Sequence, residues 1–183
     1  MIARGFLACA LVMLVSIGGM AGPALAKSAQ EINAEVDVTL KRFKKDFPAG
    51  AILAKNAHGI LVFPSVTRGG VGIGGSYGEG ALRVRGKTVA YYSTASASIG
   101  VQLGVQSRSE VILFMTADAL EKFRNSDGWE AGVDGSVAAG QSGAAGKTGT
   151  TTGKDPIIGY VFGEEGLMFS ASFEGAKYSK LDK

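Results

Sequence analysis

Residues that carry chemistry are scarce in this chain. It has one cysteine, Cys9, one histidine, His58, one tryptophan, Trp129, and four prolines among 183 residues. A single histidine excludes a multi-histidine metal site within one chain. A single cysteine excludes an intramolecular disulfide, so packing alone must hold the core. Charge is also sparse: charged residues make up 19%, and the formal net charge is +3. That bias is too mild to indicate a nucleic-acid partner. The carboxylates form no recognisable acid–base pair along the sequence, which speaks against an enzyme; no cofactor or metal is expected.

Glycine departs in the other direction, with 28 residues. These follow no collagen period and sit inside alternating apolar segments, a pattern of tight turns and strands in close approach. Hydrophobic residues reach 46%, enough for a sizeable core, and the length suits one domain.

The first 26 residues read as a secretory signal. Arg4 supplies a short positive region, Phe6 to Ile17 is apolar, and Ala24-Leu25-Ala26 presents small residues where a signal peptidase reads them. Cleavage after Ala26 would remove Cys9 and leave residues 27–183 as a single exported domain. Its expected location is periplasmic, outer-envelope associated or secreted. A retained membrane anchor is the competing reading.

Helical signals come next. Ser28 followed by Glu31 is a capping-box pattern. Ala29, Ile32, Val36, Leu40, Phe43 and Phe47 then recur at helical spacing and share one face. Pro48 ends this helix and opens a shorter one reaching Lys55. Beyond it the period switches to two. Gly59 to Phe63 is a short apolar strand that Pro64 should stop. Val71, Ile73 and Tyr77 alternate with small residues, and Leu82 and Val84 alternate with Arg83 and Arg85. Ala95 to Val105 is the longest alternating run, and Val111 to Met115 is continuously apolar, as in a strand buried on both faces.

Thr116 caps a third helix that passes through Leu120 and Phe123 to the stop at Asn125-Ser126-Asp127-Gly128. Trp129 to Val137 reads as strand, Gly140 to Lys154 as a polar loop, and Ile157 to Phe162 and Leu167 to Phe173 as a hairpin around Gly163-Glu164-Glu165-Gly166. The expected fold is α+β: N-terminal amphipathic helices packed on a Gly-rich, mostly antiparallel, strongly curved sheet.

Two glycine motifs resemble nucleotide sites and fail on context. Gly70-Val71-Gly72-Ile73-Gly74-Gly75 fits a dinucleotide fingerprint, but a helix must follow to face the pyrophosphate, and here the strand pattern continues. Gly86-Lys87-Thr88 and Gly146-Lys147-Thr148 lack the earlier glycine of a phosphate loop, since Ala81 and Gln141 stand in its place. His58-Gly59 reads as a helix end.

The basic cluster Lys41, Arg42, Lys44 and Lys45 is the best candidate for function; its bland reading is a solvated helix face. Each basic residue near an anionic membrane contributes roughly 1 kcal/mol. Four give about 4 kcal/mol, which is only millimolar binding. Tighter binding would need Phe43 or Phe47 to insert, at about 1.5–3 kcal/mol each. Both rings lie on the stripe that would pack on the sheet, so the helix can serve as core or as wedge, not both at once.

Several segments together resemble the SYLF-domain family. They are Gly59-Ile60-Leu61-Val62-Phe63-Pro64, Gly100-Val101-Gln102-Leu103-Gly104, Phe114-Met115-Thr116, Gly128-Trp129-Glu130-Ala131-Gly132-Val133, Thr150-Thr151-Thr152 and Phe162-Gly163-Glu164-Glu165-Gly166-Leu167-Met168. The resemblance runs from about Ser28 to Leu181. It implies binding rather than catalysis. Eukaryotic members bind phosphoinositides, partly through an N-terminal amphipathic helix, and some bind actin. The matching lipid-contact residues here are Lys41, Arg42, Phe43, Lys44 and Lys45. The expected partner is therefore an anionic lipid or membrane surface, with actin implied by the family alone. The alternative is a cell-envelope structural or protein-interaction module without a lipid ligand.

Overall fold

The structure is a computed structural model that describes residues 26–100, 106–140, 155–163, 166–167, 173 and 175–183. The first helix, α1 (Ala29–Asp46), starts where the capping box places it. Ser28 Oγ accepts the Glu31 N–H at 3.2 Å, and Glu31 Oε2 accepts the Ser28 N–H at 2.7 Å. Phe47 closes α1, and Pro48 stands at the first position of α2 (Pro48–Asn56), where a missing N–H costs nothing.

The strands described are β1 (Gly59–Val84), β2 (Lys87–Gly100), β3 (Gln106–Phe114), β4 (Trp129–Glu130), β5 (Ala138–Ala139), β6 (Ile157–Gly163), β7 (Gly166–Leu167) and β8 (Lys177–Leu181), with α3 (Ala117–Asn125) between β3 and β4. They form one strongly curled half-barrel in the order β4-β8-β2-β1-β3-β6-β5, with β7 on β6. All pairings are antiparallel except β5 with β6. This is the α+β architecture expected from the sequence.

The sheet is buried on both faces, and strand alternation sorts its side chains between two cores. Val62, Ala81, Val111, Leu113, Ile158, Tyr160 and Phe162 face α1 and α2. Leu61, Phe63, Leu82, Ile112, Phe114, Ile157 and Val161 face the other way, into a core shared with Leu120 and Phe123 of α3 and with Trp129 and Tyr178. Trp129 packs edge-on against Phe123 at 5.7 Å and lies the same distance from Tyr178. Its place as a core anchor after the Asp127-Gly128 turn follows from Gly128, whose φ is +106°.

Several strand boundaries differ from expectation; β3, for example, begins at Gln106 rather than Val111, and β8 has no counterpart among the expected strands. Pro64 does not stop β1, which runs on for 26 residues. The register with β3 shifts between Phe63 and Val66, and the Ser109 hydroxyl donates to the Pro64 carbonyl at 2.7 Å. Proline is tolerated because it sits in a bulge that asks no ladder hydrogen bond of its nitrogen. Strand character at Trp129 also ends after two residues rather than reaching Val137. Gly132 has φ +91°, and the Ala131–Gly135 bridge turns the chain. The apparent signal (residues 1–25), residues 101–105, most of the polar loop (141–154), the acidic pair Glu164 and Glu165, and residues 168–172 lie outside the described residues.

The long β1 bends back along itself, and glycine makes this possible. A Cβ at Gly78 would lie 2.8 Å from the Ser65 carbonyl oxygen, and one at Gly80 would collide with the Val62 carbonyl oxygen. Gly80→Ala should therefore destabilise the domain by about 3 kcal/mol, since neither backbone can yield without opening the curl. Urea unfolding of the variant against the parent protein measures this.

Candidate functional site

Helix α1 is docked. Ile32, Val36, Phe43 and Phe47 are buried against the sheet. Phe43 meets Tyr160 edge-on at 4.9 Å, and Phe47 lies 5.2 Å from Phe162. Polar contacts tie down both flanks. On one side Asn33 donates to the Tyr91 hydroxyl at 2.8 Å, Thr88 donates to the Asn33 amide oxygen at 2.6 Å, and Arg83 pairs with Asp37 at 2.9 Å. On the other, Arg42 donates to the Gly163 carbonyl, pairs with Asp46 at 3.3 Å and lies 5.6 Å over the Phe162 ring.

The sequence-predicted cluster Lys41, Arg42, Phe43, Lys44 and Lys45 is thereby split three ways. Phe43 is fully buried in the docked helix. The physical reason is the sheet: if α1 left, Val62, Val111, Leu113, Ile158 and Phe162 would be uncovered, and a membrane holding the helix would not cover them again. Arg42 serves as a latch between α1 and β6. Lys41, Lys44 and Lys45 remain exposed.

Lys41 and Lys44 line a groove of about 930 Å³ between α1, α2 and the β1–β2 hairpin. Its floor is apolar, with Leu40, Ala51, Ala54 and Ile60. Its rim adds cations from elsewhere in the chain: Lys55 from α2, and Arg83 and Arg85 from the hairpin. Arg85 and Gly86 have φ of 51° and 77°, the two positive values of a tight two-residue hairpin turn, and this sets Arg85 at the groove mouth. Asp37 is the lining carboxylate, and Arg83 already holds it. His58 also lines the groove, and its N–H donates to the Phe114 carbonyl at 2.8 Å.

Lys55, Arg83 and Arg85 escaped the sequence reading as site residues. The alternation of Leu82 and Val84 with Arg83 and Arg85 showed that the arginines point away from one core. Nothing local showed that they face α1, 46 residues away at Asp37. Among the described residues there is no cluster of three metal-ligating side chains, and no helix is long and apolar enough to cross a membrane.

Among the described residues, one buried charged group lies away from this surface. Glu110 is 2% exposed on the α3 side of β3. Arg108 Nη2 reaches its Oε1 at 2.8 Å, while Oε2 makes no hydrogen bond among the described residues. Burial raises its pKa, opposed by Arg108. Tyr178 is raised well above 10, by burial first and by the Glu110 carboxylate second. This pair is buried within the sheet's core.

The fold and the groove define an α+β module with a basic, apolar-floored helical face. A family model described as "Ysc84: Las17-binding protein actin regulator" matches residues 95–183. The chain is also 31% identical over 162 residues to beta cell expansion factor A of Aeromonas veronii, a match covering 87% of this chain and 60% of that protein. Residues 95–183 thus match the Ysc84/SYLF family, which is associated with lipid and actin binding and is generally non-catalytic.

Two outcomes follow. Arg42→Ala should cost about 2 kcal/mol in urea unfolding, through the lost charged hydrogen bond and the cation–π contact. Glu110→Gln keeps the shape and an acceptor for Arg108 while removing the titration. A raised folded pKa contributes stability that is full below the ordinary carboxylate value of 4.5 and is lost as pH rises through the folded value. The parent protein should therefore lose stability relative to the Gln variant as pH rises above 4.5, as read by denaturant midpoints across a pH series.

Proposed function

We propose that this protein binds anionic phospholipid or phosphoinositide head groups, non-catalytically, at the cell envelope. The observation that carries the reading is the convergence of Lys41, Lys44, Lys55 and Arg85 around an apolar floor, with the lining acid Asp37 already neutralised by Arg83. Such a surface offers an anionic head group several cations and offers the first methylenes of its chains an apolar wall. The family's association with lipid supports it. The N-terminal apolar stretch and Ala24-Leu25-Ala26 support export. The reading departs from the sequence-level proposal in its residues: Lys41 and Lys44 stay, Lys55 and Arg85 join, Arg42 becomes structural and Phe43 leaves.

The family description also names Las17 and actin. A protein partner is the second reading. The described sheet path ends in β4 and β5, two residues each, beside longer strands whose outer edges an incoming strand could pair with.

The test is co-sedimentation with vesicles of phosphatidylcholine alone, with added phosphatidylglycerol, or with added phosphoinositide, at low and high salt. Binding should need anionic lipid and weaken with salt. Reversal of Lys41, Lys44, Lys55 and Arg85 to glutamate should reduce affinity by at least about a hundredfold. Absence of anionic-lipid-dependent pelleting at low salt sinks the reading. Actin co-sedimentation that survives the reversal would favour the second.

A further inference from the structure

A docked α1 removes Phe43 and Phe47 as membrane wedges, and lysines alone hold a bilayer only weakly. The structure offers another apolar element. Helix α2 turns Gly50 and Ala54 inward, where a Cβ at Gly50 would already lie 2.7 Å from Phe43 Cζ. Its opposite side is left to solvent: Pro48, Ala49 and Ile52 are exposed, and Ile52 retains 62% of its surface. Lys55 follows Ile52 by one turn, and Lys44 and Lys45 end α1 just before the Phe47-Pro48 elbow. On the outward face of α1, Val38 is 66% exposed and shares helical spacing with Lys41 and Lys45. Both helices cover the same face of the sheet, so their outward sides form one surface: an apolar tip ringed by lysines.

We propose that Pro48, Ala49 and Ile52 enter the head-group and acyl boundary of an anionic bilayer while α1 stays docked on the sheet. The proposal rests on the lipid reading above and supplies its missing apolar contact. Charge selects the occupant. Protein interfaces are depleted in lysine at their centres, whereas lysine stems lie along an apolar boundary with their ammonium groups at lipid phosphates. A second copy of this chain is disfavoured, because a two-fold contact would set this lysine ring against its own image. Undocking is unnecessary: the side that enters the membrane is the side the core does not use.

The scarcity of cysteine makes the test direct. In the chain carrying Cys9→Ser, an environment-sensitive fluorophore is placed at Ile52→Cys, at Ala49→Cys or, as a control on α3, at Glu121→Cys. Vesicles contain phosphatidylcholine with phosphatidylglycerol, and pelleting is measured in parallel. The fluorophore at positions 49 and 52 should shift to the blue and resist an aqueous quencher, while that at 121 should do neither. Ile52→Ser should weaken vesicle affinity by about tenfold and Ile52→Trp should strengthen it. Amides of α1 should keep their hydrogen-exchange protection on vesicles. A protein that pellets with vesicles while positions 49 and 52 remain aqueous overturns this proposal and leaves the lipid reading standing. Loss of α1 protection on binding also overturns it. Failure of the parent protein to pellet overturns both.

Discussion

The packing of Phe43 and Phe47 onto Tyr160 and Phe162 is the contact on which the helical side of the molecule depends. These rings cover a sheet face that would otherwise expose a row of aliphatic side chains, and they set the height at which α1 rides above it. With that height set, Asn33 reaches Tyr91, Arg83 reaches Asp37 and Arg42 reaches Gly163. The polar contacts are individually modest. Their role is rotational: they hold the helix with Lys41 and Lys44 toward the groove and Arg42 away from it.

The same contact shapes how the protein can meet a membrane. An amphipathic helix packed on a sheet has spent its apolar face on the fold, and attraction from a few lysines is far smaller than the burial that undocking would forfeit. The solution in this structure is division of labour across the Phe47-Pro48 elbow. Helix α1 closes the core and displays cations. The short α2, held down by Gly50, Leu53 and Ala54, leaves Ile52 outside. The β1–β2 hairpin completes the groove from the sheet side.

Much of this fold was legible because its signals are local. The Ser28–Glu31 box, Pro48, the period-two runs and Trp129 each act within a few residues of chain, and each marked its element. Pro64 misled because a bulge, visible only in the register with β3, relieves the constraint that proline imposes. Trp129 to Val137 misled because Gly132 and Gly135 turn the chain after two paired residues, although the composition suits a strand. The site was legible by half. The lysine spacing on α1 was visible, but Lys55, Arg83 and Arg85 reach it across elements.

By itself the sequence determined which faces of which segments are apolar, where the first helix starts and stops, and that the chain resembles the SYLF family. Periodicity, caps and turn residues encode these within one element. Only the tertiary structure decided that Phe43 is core, that Arg42 is a latch and that the groove's cations come from two helices and a hairpin. Those outcomes depend on the order in which strands pair and on how tightly β1 curls, because strand pairing brings together residues with no periodicity in common.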